Sequence, residues 1–338
     1  MQKYIKAGIK MDEKAGRKLI AERAGVSKTT VTRVLSGNAS VSEKTQKKVM
    51  NVIEELGYTQ NKLAINLSRN KNSNFIAMLV PDMTNYYYLQ MFDTITRLLD
   101  GTDYTISVYR VTEQNWTHML DQMLKYRVAA VINMLFYPVP TEYMKKFDCA
   151  RIKVIHPDIP NDPVRLRFDY APAIREAFES MRRAGRKNFY FLCGMNDEYI
   201  VDRRIVCYLE LMREIGVSKP EETVLWGDYP HVSALQAGYD LIKRLHDCGG
   251  DADALFCMTD MTAFGAIKAL RELGKEPGRD VSVVGFDNIL LGEYSQPTLS
   301  TIDSFLEEEA RRYVDFIFDR EYATDLIVSK YIERGSIK

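Results

Sequence analysis

From Asn74 onward, short apolar runs alternate with helix-period stretches: FIAMLVP, YTISVYR, AAVINML, IKVIHP, NFYFLCG, ALFCMTD and VSVVGFD, with amphipathic segments between most of them. A strand that is apolar along its whole length must be covered on both faces, and helical spacers supply the crossovers that join parallel neighbours. The pattern predicts an α/β fold with parallel, doubly wound sheets, and its length suits two lobes. Ligands of such sheets bind beyond the carboxyl ends of the strands. Chemistry is therefore to be sought where each apolar run stops.

The first 71 residues obey a different period and a different charge. They hold 15 Lys and Arg against 6 Asp and Glu, so they carry +9, and the remaining residues carry −9 within a chain of zero formal charge. A positive field confined to one end suits phosphate, while an acidic body is repelled by it and orients the molecule. Within this head, RKLIAERAGVSKTTVTRV places Leu19, Ile20, Ala24, Val26, Val31, Val34 and Leu35 at the apolar positions of two short helices. Ala21, Gly25 and Val31 match the small residue, positive-φ glycine and branched residue that a helix-turn-helix requires. Ser27 is the expected cap of the second helix, at a start that would lie close to DNA phosphates. A third helix is expected from Ser42 or Glu43, with Val49, Ile53 and Leu56 on one stripe. If the second helix enters the major groove, Lys28, Thr29 and Arg33 face base edges, and Thr30, Thr32 and Asn38 face phosphates. One short helix reads few base pairs, so a homodimer on a pseudo-palindromic duplex is expected.

Other classes find little support. No apolar run is long enough to span a bilayer, and the opening MQKYIKAGIKMDEK lacks a signal peptide's apolar stretch, which predicts a cytoplasmic protein without a membrane partner. Cys149, Cys193, Cys207, Cys248 and Cys257 form no CxxC pair and are expected as free thiols. GxSxG, P-loop, HExxH and GxGxxG patterns are missing, and His118, His156, His231 and His246 are dispersed. No enzyme, metal or cofactor is expected. The alternatives are a sugar-binding protein or an α/β enzyme without DNA function, and the basic head argues against both.

The segment GVSKTTVTRVLSGNASVSEKTQKKVMNVIEELGYTQN resembles the N-terminal domain of the lactose-repressor (LacI) family of bacterial regulators. LAINLSRNKNSNFIAMLVPDMTNYYY, ALFCMTDMTAFGAIKALRELG and VSVVGFDNI resemble its hinge and sensor, so the likeness runs from about Arg17 to the end. It implies a repressor with a helix-turn-helix head at 16–59, a hinge at 60–73 and a two-lobed, periplasmic-binding-protein-like effector domain at 74–338. Lobe 1 is expected over about 74–168 and 303–325, and lobe 2 over about 169–302 and 326–338. Residues 1–15 form an extension of unassigned role. Two departures stand out. Gly16 replaces the family's usual first-helix cap, and Gln60 replaces a proline stop.

Residues 60–73 are too short and too weakly amphipathic for a stable isolated helix. The resemblance implies a helix formed only on the operator, with Leu67 wedged into the minor groove beside Ala64. Melting it would lower affinity without touching the reader.

For the sensor, Asn85, Tyr87 and Tyr88 at the end of FIAMLVP offer an amide and two aromatic faces, or else pack with satisfied hydroxyls. Asp287 follows a buried strand, where a carboxylate can accept from two hydroxyls or cap the next turn. By resemblance, Arg204 is the arginine that grips ligand, unless it makes a surface ion pair. Thr259 stands where many sugar-sensing members have Asn. Asp158 ends another strand but lacks the arginine that follows it in sugar binders. A sugar or sugar derivative is the implied small-molecule effector. LSTIDS, residues 299–304, resembles the return crossover between lobes.

Overall fold

The computed structural model describes residues 13–35, 41–58, 72–156, 168–197 and 202–338. The chain divides into two compact units, Met1–Ser73 and Asn74–Lys338. Asn38, Ala64, Leu67 and Asp158, and the hinge apart from its last residues, lie outside the described residues.

In the first unit, α1 (Glu13–Ala24), α2 (Lys28–Leu35) and α3 (Glu43–Leu56) enclose a core of Ile20, Ala21, Ala24, Val31, Val49 and Val52. Gly25 turns the chain between α1 and α2 with φ +59°, and Val26 N–H returns to the Ala21 carbonyl at 3.0 Å. The first helix begins before the expected boundary at residue 16, and Gly16 is not a cap. It lies inside α1, buried, where an added Cβ would come within 2.5 Å of the Tyr58 ring. The glycine permits close approach. The missing proline stop at Gln60 is also immaterial, because α3 ends earlier. Gly57 takes φ +57°, its N–H bonds Glu54 O at 3.1 Å, and Tyr58 N–H bonds Ile53 O at 3.0 Å. Those bonds satisfy carbonyls that the helix end would otherwise leave open.

Among the described residues, the second unit contains two large sheets and a two-stranded one. Strands β1 (Phe75–Val80), β2 (Thr105–Arg110), β3 (Ala130–Asn133) and β4 (Lys153–Ile155) form a parallel sheet in the order β2-β1-β3-β4. After β5 (Phe168–Asp169), strands β6 (Phe189–Leu192), β7 (Val224–Leu225), β8 (Ala254–Cys257), β9 (Ser282–Phe286) and β10 (Ser300–Asp303) build the other. With β12 (Lys330–Ile332) its order is β12-β10-β9-β8-β6-β7, and β12 alone runs antiparallel. All seven apolar runs of the sequence contain strands. The short β5, β7, β11 (Ile327–Val328) and β12 are additional, as is β10, which falls in the LSTIDS segment read as a crossover.

Helices follow most strands: α4 (Tyr86–Leu98), α5 (Trp116–Tyr126) and α6 (Thr141–Ala150) in the first lobe, then α7 (Ala171–Arg183), α8 (Arg203–Glu214), α9 (Ala234–Asp247), α10 (Asp260–Glu272) and the short α11 (Leu291–Tyr294) in the second. After β10 the chain leaves the second sheet, and α12 (Leu306–Ile317) packs on α4 of the first lobe. Strands β5 and β11 then pair in parallel, Phe168 opposite Ile327, outside both large sheets.

Helices α9 and α10 set the N-termini that frame the site, and their backbones nearly touch. A Cβ on Gly265 would overlap the Leu235 carbonyl, and one on Gly238 the Thr262 carbonyl. Relief requires moving main chain rather than a rotamer. Gly265→Ala is therefore expected to lower unfolding stability by about 1–3 kcal/mol in urea denaturation despite alanine's better helix propensity. An unchanged midpoint would contradict this packing.

Candidate functional site

In the second unit, a cavity of about 380 Å³ opens where strand ends and helix N-termini meet. Asn85, Tyr87, Tyr88, Arg204, Thr259 and Asp287 all line it, so the structure brings the described effector candidates together. Their side chains differ in what they have left to offer a ligand.

Asn85 caps α4, its Oδ1 accepting Tyr87 N–H at 3.1 Å. The Tyr87 hydroxyl donates to Glu309 Oε2 at 2.6 Å, and Tyr313 donates to the other oxygen of the same carboxylate. Burial, then the neighbouring Glu309, pushes Tyr87 well above the ordinary phenol range. Burial, then Tyr229, does the same to Tyr88. Both phenols stay neutral donors, with rings 5.6 Å apart edge to face.

Thr259 lies in the wall but is occupied. Its Oγ1 caps α10 by accepting Thr262 N–H at 3.1 Å and lies 2.9 Å from Thr262 Oγ1. Arg204 is also engaged, though in the cavity rather than on the surface. Its Nε and Nη2 donate to the two oxygens of Asp202 at 3.0 and 2.8 Å, and Nη1 donates to Met258 O at 3.1 Å. Burial works against its charge, but the Asp202 carboxylate outweighs it and holds the guanidinium well above its usual value.

Asp287 follows β9 with φ +108°, outside the ordinary range of a non-glycine residue, and its N–H donates to Ile302 O at 3.0 Å. Its buried Oδ2 has no hydrogen-bond partner among the described residues; nor does the buried Ser304 Oγ, which also lines the cavity, while the buried Tyr229 hydroxyl lies beside Tyr88 and Asn85. Such orphaned polar atoms are costly in a folded protein unless something else satisfies them. Burial, and then the nearby Asp260, pushes the Asp287 carboxyl well above the usual range. Asp260 is itself fully buried and raised to about 7 by burial, although Thr301 Oγ1 donates to it at 2.6 Å and Ile289 N–H at 2.9 Å.

Sequence reasoning missed Asp202, Tyr229, Ser304 and Glu309. Asp202 and Ser304 each lay within two residues of a feature that was read. Tyr229 and Glu309 carry no local signal, since only the folded chain brings a loop and a crossover helix to this wall.

In the head, Lys28, Thr29, Thr32 and Arg33 are exposed on α2, opposite the fully buried Val31. Residues 28 and 32, and 29 and 33, stand four apart on one face. Ser27 Oγ accepts Thr30 N–H at 3.1 Å, forming the expected cap, and lies 2.9 Å from the half-buried Thr30 hydroxyl. Thr32 Oγ1 donates to Lys28 O at 3.0 Å.

A helix-turn-helix head with an exposed basic face, followed by a two-lobed sheet unit with a polar cavity, defines an effector-sensing DNA-binding transcription regulator. Residues 18–61 match the model for bacterial regulatory proteins of the lacI family, and residues 178–336 match a periplasmic binding protein-like domain. Catabolite control protein A of Priestia megaterium is 28% identical over 289 residues, covering 84% of this chain and 85% of that protein. The transcriptional repressor PurR of Vibrio vulnificus is 27% identical over 321 residues, covering 89% and 90%. The fold is that of the lac repressor dimer solved with operator and the anti-inducer ONPF, with a TM-score of 0.70 at 20% identity over 94% of this chain and 97% of that one. The chain belongs to the lacI family of bacterial regulatory proteins.

Among the described residues, no helix is long and apolar enough to cross a membrane.

The raised carboxyls give a signed expectation. The unfolded chain loses these protons near the ordinary carboxylate value of 3.8, whereas the folded chain holds that of Asp260 to about 7 and that of Asp287 well above the usual range. Folding therefore binds protons in this window, and stability falls as pH rises through it. Asp287→Asn, which keeps shape and tolerates positive φ, is expected to flatten the fall and raise the melting temperature of the ligand-free protein at pH 8. Parallel wild-type and variant profiles would contradict this.

Proposed function

We propose that this chain is a repressor whose operator affinity is set by a sugar or sugar derivative held in the sensor cavity. The observation that carries this reading is the pair of orphaned, buried oxygens on Asp287 and Ser304 facing one cavity. A polyhydroxy ligand would satisfy both, and Tyr87 and Tyr88 give it aromatic walls. Thr259 shapes that wall and holds α10, with its own oxygen engaged in the cap.

On the operator, Lys28, Thr29 and Arg33 read base edges in the major groove. Ser27, Thr30, Thr32 and Asn38 set register on phosphates. The hinge at 60–73, with Ala64 and the Leu67 wedge, folds in the minor groove when a homodimer presents two copies side by side. Asp158, at a strand end in the sequence, is a further candidate for contact with the effector. The exposure of the α2 face and the +9 charge of residues 1–71 support the first part. The dimer face falls on the apolar residues left exposed near the junction of the lobes: Met83 and Leu89, and across from them Leu290, Leu291 and Tyr294. Leu290 N–H donates to Gln90 Oε1 at 2.9 Å, tying the two lobes together at this face. Closure of the lobes on a ligand would shift this face and, through it, the spacing of the hinges.

Arg33→Ala tests the reader. Titration against the protein's selected operator is expected to show a loss of about 1–3 kcal/mol, with a smaller loss on random duplex. Equal losses on both would remove Arg33 from base reading.

A further inference from the structure

The charges around the cavity show which ligands it turns away. Among the described residues, six helices, α4, α7, α8, α9, α10 and α12, begin at or beside its wall, and helix N-termini attract anions. The starts of α7, beside Tyr170, and α12, beside Ser304, carry no side-chain cap, whereas the other four are closed by their own side chains. Asn85 accepts Tyr87 N–H, Asp202 accepts Arg204 N–H at 2.9 Å, Ser233 accepts Gln236 N–H at 3.2 Å, and Thr259 accepts Thr262 N–H. Arg204, the guanidinium within the wall, has its Nε–Nη2 edge paired with Asp202 and one Nη1 hydrogen donated to the Met258 carbonyl, so its charge is already matched by a carboxylate. Arg203 also lines the cavity, but its side chain is exposed and solvent screens it. Against these stand the Glu309 carboxylate and the buried Asp287 carboxyl, which folding holds in its neutral form and which an anion would keep so. An anion seeking the paired edge of Arg204 would have to displace Asp202 and lie within reach of the Glu309 carboxylate.

We propose that Asp202 is a built-in counter-ion that makes the effector site selective for uncharged or cationic ligands rich in hydrogen-bond donors, such as polyols or amino sugars, and bars phosphate and carboxylate derivatives. The proposal rests on the reading of this cavity as the effector site. Asp202 occupies the position that a ligand phosphate would take on Arg204, and it does so permanently because it also caps α8. Hydroxyl or amino groups on the ligand, able to accept as well as donate, meet the open Asp287 and Ser304 oxygens. The cavity thus sorts ligands by charge before shape.

Inorganic sulfate on the intact protein is the probe. Melting temperatures are measured in sodium sulfate and in sodium chloride of equal ionic strength for wild type, Asp202→Asn, Asp202→Ser and the double variant Asp202→Asn/Arg204→Gln. Asn and Ser both keep the helix cap while removing the charge. The double variant reports the general salting-out effect of sulfate, which no site is needed to produce. Wild type is expected to match the double variant, whereas Asp202→Asn and Asp202→Ser gain a further, saturable stabilisation equivalent to about tenfold tighter sulfate binding. Saturable sulfate stabilisation of wild type that disappears in Arg204→Gln would overturn the proposal, as would variants of Asp202 that gain nothing over the double variant. If neither Asp202 variant folds, calorimetric titration of sulfate into wild type decides: binding overturns the proposal and its absence supports it. DNA binding by the same wild-type preparation is read separately, so a failure here is distinguishable from a failure of the regulator reading.

Discussion

Parallel strands force their crossover helices to start from the same edge at which the strands stop, and the site depends on this one constraint. The arrangement places helix N-termini and loop side chains around a shared opening, where main-chain N–H groups need partners. The chain answers with four capping side chains, and three of them belong to residues that sequence reading or geometry assigns to the site. Caps that hold the helices therefore shape the pocket as well. What remains open is polar oxygen, buried and unpaired on Asp287 and Ser304. Folding leaves this deficit, and a donor-bearing ligand is the species that removes it.

The same opening lies between two lobes joined by segments that cross from one to the other. Asp287, Thr259 and Arg204 stand on the second lobe, and Asn85, Tyr87 and Tyr88 on the first, so a ligand that touches both sets favours the lobe separation at which both are in reach. Glu309 is the exception to a simple two-walled picture. It arrives on α12 after the chain has returned from the second lobe, and it ties Tyr87 and Tyr313 together within the first. A side chain engaged in this way holds the aromatic wall in place.

Much of the fold was legible because its determinants are local. The head's turn needed Gly25 at positive φ, a buried Val31 and a capping Ser27, and each is set by residues no more than a few positions apart. The seven apolar runs gave seven strands for the same reason. The short β5, β7, β11 and β12 hold two or three residues apiece, too few to show any period, and their pairing is decided by distant partners. Gly16 was misread as a weak cap because the helix start was set too late, and its partner Tyr58 is 42 positions away. In the cavity, strand-end residues were legible from position alone. The state of their polar atoms was not: whether Thr259 is open or engaged, and whether Arg204 meets a ligand or Asp202, depends on neighbours that only the folded chain supplies. Asn38, Ala64, Leu67 and Asp158 rest on sequence resemblance and on the physics of grooves and wedges.

The account stands on a charged reading head presented twice by one assembly. Repeated selection of a fully random duplex library by the intact protein, followed by sequencing, tests that directly. A single enriched site made of two inverted half-sites is the expected result. A pool that stays as diverse as its input, or that enriches one unpaired half-site, would contradict it.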